Sequence, residues 1–303
     1  MGGGGSKVEY RDVYREPPPP EMLDTPWRDI GISKWDKKAV DDMRRFIQNY
    51  RPVAGKEHVN ILLLGPIGTG KSSFFNTLDT SLSSSDAVKR RAGAGSETHS
   101  YTTVFHVYRL ESEETLKFRI CDCRGIESAR SIPTEDVLAI LDGHMKSGYE
   151  INPEAAIKRN HPKYRRNPNV QDKIHCIVWC FQATTSFEKL DDEERRQIKQ
   201  MQGFARARDI GQLVLLSKTD QCVKVLESQI HKTFLSTDVK KSVESFAHSF
   251  GLPVSSVLPM KNYCTEVLKQ TEVDILALFN LKQILGVAND SLANLVENDD
   301  DED

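Results

Sequence analysis

Long hydrophobic runs are missing from this sequence. No segment approaches the ~20 consecutive apolar residues that a membrane-spanning helix needs. The opening MGGGGSKVEY has no apolar stretch of the secretory-signal kind and reads as a flexible leader. Zinc-type cysteine pairing is missing as well. The six cysteines fall at 121, 123, 176, 180, 222 and 264, and the first four sit C-x-C and C-x3-C inside the apolar runs RICDC and HCIVWCF. That pattern argues for buried, reduced thiols in an intracellular protein. Charge bias is small. The formal charge is −3, and without the six acids of the terminal ENDDDED it becomes +3, too little to mark a nucleic-acid-binding protein by charge alone. With 28% charged and 38% hydrophobic residues over 303 positions, the composition is that of a soluble globular protein.

The pattern along the chain is that of one α/β domain. Residues 1–30 are polar and carry PPPP at 17–20, which predicts an extended, largely unpacked arm. Within 31–52, Trp35, Val40, Met43, Phe46 and Ile47 recur at helical spacing before Pro52, an amphipathic helix packed on the domain. From 53 to 296, apolar strands (59–65, 103–110, 116–122, 175–181, 212–218, 254–259) alternate with helices (71–78, 188–208, the segment to 250, 272–296). Continuous apolar strands between helices predict a mostly parallel sheet covered on both faces. The hairpin-like pair 103–110 and 116–122 adds one antiparallel edge strand, 127–173 reads as an insert, and 297–303 as an acidic tail.

The chemistry begins at VNILLLGPIGTGKSSFFNTL. Gly65 to Ser72 matches G-x-x-x-x-G-K-[ST] between a strand and a helix. Loop N–H groups must turn inward onto an anion, and glycines at 65, 68 and 70 permit that backbone. The helix that follows adds its positive end. The expected phosphate-binding set is Gly65, Pro66, Ile67, Gly68, Thr69, Gly70, Lys71, Ser72 and Ser73, with Lys71 also the catalytic charge on the β/γ-phosphates and Ser72 a ligand for Mg²⁺. Asp122 ends the run FRICD and opens D-x-x-G with Gly125. Its carboxylate suits the metal, and the Gly125 N–H suits a γ-phosphate. Lys218 and Asp220 follow the strand QLVLLS as S-K-x-D. An aspartate there accepts both N1–H and N2–H of guanine, the lysine stem lies over the base, and Lys261 in the next loop is the expected third base contact.

Hydrolysis needs a switch threonine and a water-orienting group. The segment 90–103 contains Thr98, taken as metal ligand and catalytic switch residue, with Thr102 as the alternative. The position after D-x-x-G is Ile126, where a glutamine would orient the attacking water. Arg124, one place before Gly125, is either a surface arginine or a charge stabiliser, in cis or across a dimer. GTP/GDP with Mg²⁺ is thus the expected cofactor set, with slow hydrolysis unless a partner or self-association assists.

The motifs in this order resemble a Ras-like P-loop GTPase domain. The wording LLLGPIGTGKSSFFNTL, FRICDCRGIE, GHMKSGYEINPEAAIK, QDKIHCIVWCFQAT and PWRDIGISKWDK resembles, over about 24–290, the interferon-induced protein 44 family of 44 and 44-like proteins. That resemblance implies a cytoplasmic, interferon-induced, antiviral-associated guanine-nucleotide-binding protein. Family members often carry an N-terminal TLDc domain, for which this sequence leaves no room. Two other readings stay open. One is a scaffold whose nucleotide is structural and never hydrolysed, consistent with Ile126. The other is nucleic-acid or acidic-membrane binding through the insert, where Lys158, Arg159, Lys163, Arg165 and Arg166 are interleaved with His161 and Tyr164.

Overall fold

The computed structural model describes residues 21–93, 103–110, 112, 115–123, 125–127 and 132–300. Its centre is a seven-stranded sheet in the order β4-β2-β3-β1-β5-β6-β7. The strands are β1 (Val59–Leu64), β2 (Val104–Tyr108), β3 (Phe118–Asp122), β4 (Tyr149–Glu150), β5 (Cys176–Gln182), β6 (Gly211–Ser217) and β7 (Val257–Pro259). β3, β1, β5, β6 and β7 run parallel, and β2 is antiparallel to β3. This is the Ras-like P-loop α/β class that the sequence predicts.

Strand β1 explains why a central strand reads as an unbroken apolar run. Val59, Ile61 and Leu63 enter one core with the helices α1 (Lys37–Gln48), α2 (Lys71–Leu82) and α7 (Thr271–Asp300). Leu62 and Leu64 enter the other core, with α3 (Thr134–Leu141), α4 (Asp192–Arg206) and α6 (Thr237–Phe250). Both faces are covered, so no position along the strand is left for a polar side chain on solvent. The long α7 buries most of its residues between Val273 and Leu292 because α1 and α2 lie against it while it lies on the sheet, with Lys282, Gly286 and Asp290 left exposed. Helix α1 is started by Asp36, whose carboxylate accepts the Ala39 N–H at 3.0 Å. Among the described residues no helix is long and apolar enough to cross a membrane.

Several boundaries differ from the sequence expectation. Residues 21–30 are packed, not free. Leu23 N–H bonds Leu235 O at 2.8 Å, Trp27 N–H bonds Phe234 O at 2.9 Å, and the Trp27 and Phe234 rings meet at 5.3 Å. Polar composition concealed the two apolar anchors, Met22 and Trp27, that hold this stretch to the domain. Strand β2 is not the sheet edge, because the two-residue β4 from the insert pairs outside it. A strand that short leaves no periodicity to read. The segment between β6 and α6 is broken into the four-residue α5 (Thr219–Cys222) and irregular turns rather than one helix, and α7 runs into the acidic tail as far as Asp300.

From residue 132 onward the insert is held by specific contacts. Asp136, in the first turn of α3, is fully buried and accepts the Ile157 N–H at 2.7 Å through one oxygen. Its other oxygen has no hydrogen-bond partner among the described residues. Burial pushes its carboxyl up to about 6, aided by Glu135 and opposed by the Ile157 N–H. A raised folded-state value means stability that is present at low pH and lost as pH rises through about 6. The variant Asp136→Asn keeps an acceptor for Ile157 and removes the charge. Its stability relative to the native chain is expected to rise by on the order of 2 kcal/mol between pH 4 and pH 7, read from urea unfolding at both; a pH-independent difference would contradict the assignment.

Candidate functional site

The loop between β1 and α2 lies over the C-terminal ends of β5 and β6. Gly65, Gly68 and Gly70 have φ of 142°, 72° and 89°. At Gly65 the requirement is also steric, since a Cβ would stand 2.2 Å from the Cys180 carbonyl oxygen. Gly70 caps α2 in the left-handed region, which directs the helix's first N–H groups at the loop's concavity. The loop is tied down from several sides. Thr69 Oγ1 donates to Pro66 O at 2.8 Å, and Gln182 Nε2 donates to Gly68 O at 3.2 Å. Ser217 Oγ, at the end of β6, lies 2.6 Å from Thr69 O and 3.1 Å from Phe181 O. Asn262 Nδ2 reaches Gly70 O at 3.3 Å.

Lys71 is buried and folds over its own loop, its Nζ donating to Gly65 O at 2.9 Å and Pro66 O at 2.8 Å. Ser73 lies in the first turn of α2, where its carbonyl accepts Thr77 Oγ1 at 2.8 Å. Ser72 Oγ donates to Asp122 Oδ2 at 3.0 Å. Asp122 is 1% exposed, and its Oδ1 has no hydrogen-bond partner among the described residues. Burial raises its carboxyl above the ordinary range, opposed by the Lys71 charge and the Ser72 hydroxyl. A buried, half-satisfied carboxylate touching a serine hydroxyl fits a hard cation that takes its remaining ligands from water and phosphate oxygens. Among the described residues no group of three or more His, Cys, Asp or Glu could hold a metal by itself. His106 lies across the β2–β3 ladder from Asp122, a neighbour that no motif announces.

The D-x-x-G segment is sewn to the loop. Ile126 N–H donates to Gly65 O at 3.0 Å, and a Cβ on Gly125 would lie 3.0 Å from Ile67 Cγ1. Ile126 is fully buried, in the core that contains Leu62, Leu64 and Cys121. Its side chain therefore points away from the solvent where an attacking water would stand. Thr98, Thr102 and Arg124 lie outside the described residues.

On the far side of the loop, Lys218 adopts φ 58° and caps α5, which places half-buried Asp220 in that helix's first turn. Burial raises the Asp220 carboxyl, with Lys261 opposing. Lys261 is itself buried and paired with Glu266 at 2.5 Å. The expected third base contact is thus held by an ion pair beside Asp220. Thr219 N–H bonds Met260 O at 3.3 Å, and Tyr263 N–H bonds Thr77 Oγ1 at 3.0 Å, which join the two base-side loops to α2. Ser217, Asn262 and Gln182 are the positioning residues that motif reading passes over. Ser217 stands in the first place of S-K-x-D, but its hydroxyl serves the phosphate loop. The cysteines at 121, 123, 176 and 180 are buried free thiols, and burial pushes Cys121 and Cys180 up to about 12. A separate cavity of about 740 Å³, against Arg28, Phe46, Phe279 and Lys282, contains no residue of this loop.

Known proteins supply the relationship. The sequence is 30% identical over 290 residues to human interferon-induced protein 44-like, covering 94% of this chain and 63% of that one. It is 30% identical over 253 residues to mouse interferon-induced protein 44, covering 82% and 59%. The chain is a relative of the interferon-induced protein 44 and 44-like proteins. It spans about three-fifths of the length of those relatives. No protein-family model matches. Among solved structures, Toc33 from Arabidopsis thaliana in complex with Mg²⁺ and GMPPNP is similar at a TM-score of 0.44 and 13% identity, over 84% of this chain and 92% of that one. So distant a likeness carries no information about ligands.

The burial of Ile126 has a measurable consequence. Ile126→Gln places an amide in an apolar core and is expected to cost about 1–3 kcal/mol, read from urea unfolding. An unchanged midpoint would mean that this side chain reaches water.

Proposed function

We propose that this chain is an interferon-induced guanine-nucleotide-binding protein, a Mg²⁺-dependent GTP/GDP switch whose hydrolysis is slow unless a partner or a second copy assists. The observation that carries the reading is the contact of Ser72 Oγ with Asp122 at 3.0 Å, beneath a glycine loop that holds Lys71. In this reading the Lys71 ammonium leaves the Gly65 and Pro66 carbonyls for the β/γ-phosphates. The loop N–H groups bind the same oxygens, and Ser72 and Asp122 hold the cation, Asp122 through water. Mg²⁺ supplies charge neutralisation on the phosphates. Asp220 reads the guanine edge, and Lys261, fixed by Glu266, closes the base side. Thr98 is the proposed switch threonine. Interferon induction comes from the relatives' names, and an antiviral role in the cytoplasm is part of the same proposal.

Ile126 favours a second reading, a scaffold whose bound nucleotide is structural. Its side chain is buried and its N–H is committed to Gly65 O, so no glutamine-like group stands over the γ-phosphate at that position.

Calorimetric titration separates binding from its alternatives. GTP and GDP are expected to bind with Mg²⁺, to lose at least tenfold in affinity in EDTA, and to fail to bind Lys71→Ala, with ATP at least tenfold weaker than GTP. Equal affinity for ATP and GTP would remove the guanine assignment. Single-turnover hydrolysis followed across protein concentration then decides the switch. A rate that rises with concentration supports assisted hydrolysis, and no product over hours supports the scaffold.

A further inference from the structure

The basic stretch of the insert does something the nucleotide site does not require. Two of its cations are already used. Arg165 pairs with Asp172 at 3.1 Å and donates to Gly143 O, and Lys163 Nζ donates to Ser147 O at 2.9 Å. These bonds, with Lys146 N–H to Lys163 O at 2.9 Å and the Met145–Tyr164 bridge, brace the segment against the turn after α3. Lys158, Arg159 and Arg166 are left over, and of these the two arginines line one cavity. Both are exposed, and neither guanidinium makes a hydrogen bond or an ion pair among the described residues.

These two arginines share one cavity of about 440 Å³ with His144, Tyr164, Asn160 and Asn167, and no acidic residue lines it. His144 and Tyr164 are half-buried and stack at 4.9 Å between centroids and 12° between planes, forming an aromatic wall. The His144 ring is fixed by Nδ1, which donates to Arg165 O at 2.7 Å, leaving Nε2 without a partner among the described residues. The asparagines add amide donors and acceptors at the exposed rim.

The cavity shares no residue with the phosphate loop, and the chain just beyond it is anchored at the opposite end of β1. Asn60, near the start of β1, donates through Nδ2 to Gln171 O and Lys173 O, both at 2.8 Å, whereas the phosphate loop leaves the end of that strand. The two sites are therefore separate.

We propose that this cavity binds one nucleotide unit of a single-stranded nucleic acid, phosphate on Arg159 and Arg166 and base against the Tyr164–His144 stack. Arginines alone would suit any phosphorylated surface. The aromatic wall and the amide rim, in a concavity the size of a nucleotide, favour an unpaired base over a phosphopeptide or a flat anionic membrane. A duplex keeps its bases stacked and offers the cavity only phosphate.

Fluorescence anisotropy on the full chain tests this, with a labelled single-stranded RNA of mixed sequence, the same sequence as a duplex, and phosphatidylserine vesicles as competitor. The single strand is expected to bind preferentially and to weaken as KCl rises. The exposed pair Arg159→Gln/Arg166→Gln is expected to lower its affinity about tenfold and to reduce the slope of log K against log[salt] by about 1.4, since each phosphate contact on a single strand contributes about 0.7. Tyr164→Leu is expected to lower affinity about tenfold without changing that slope. Guanine-nucleotide binding stays unchanged in the arginine variant. The proposal is overturned if the arginine variant binds like the native chain, if duplex or vesicles are preferred, or if folded Tyr164→Leu retains full affinity. Should Tyr164→Leu fail to fold, a mononucleotide competing no better than inorganic phosphate would equally overturn it.

Discussion

Everything at the candidate nucleotide site depends on how closely the backbone of Gly65 approaches β5. The Cys180 carbonyl oxygen occupies the space a side chain would need, 2.2 Å from where a Cβ would stand. With the loop pressed down there, the Gly65 carbonyl receives both the Ile126 N–H and the Lys71 ammonium. One peptide group thus joins the strand that starts the loop, the lysine inside it and the segment after Asp122. The β6 end completes the clamp through Ser217. A cradle for phosphate is costly to assemble at the moment of binding. Here the surrounding strands have arranged it in advance.

Preorganisation leaves two strains in place. Asp122 is buried with one oxygen lacking a hydrogen-bond partner among the described residues, and Lys71 satisfies its charge on neutral carbonyls. In the proposed reading both groups would gain partners from a cation and phosphates. Because Ile126 is drawn into the core by its backbone bond to Gly65, the position after D-x-x-G contributes packing rather than a group on the water. This is why assistance from outside the site is central to the proposed functional reading.

The insert uses a different economy of contacts. Asp136 fastens Ile157, Arg165 fastens Gly143 and Asp172, and Asn60 fastens Gln171 and Lys173. Once those bonds are made, Arg159 and Arg166 remain at the surface beside an aromatic pair. The fold therefore carries cationic groups in two separate settings, the loop after β1 and the open rim of the insert. In the first it is lysine in a buried cradle, and in the second it is guanidinium at the surface.

The sequence by itself determined the parallel core and the phosphate loop. Apolar runs such as VNILLL fit strands covered on both faces, and the glycine spacing fits a loop whose backbone takes positive φ. It also placed Ser72, Asp122, Lys218 and Asp220 at or just beyond strand ends, where each follows a readable strand, and the structure brings Ser72 and Asp122 into contact. It did not reveal that Ser217 serves the loop, that Lys261 is held by Glu266, that residues 21–30 pack through Met22 and Trp27, or that β4 covers the sheet edge. Nor did it separate the committed arginine, Arg165, from the uncommitted Arg159 and Arg166. Periodicity and motif spacing are local properties of the chain. Which hydroxyl meets which carbonyl, and which cation is left without a carboxylate, is decided by contacts between residues far apart in sequence, and these exist only once the sheet and its insert have closed.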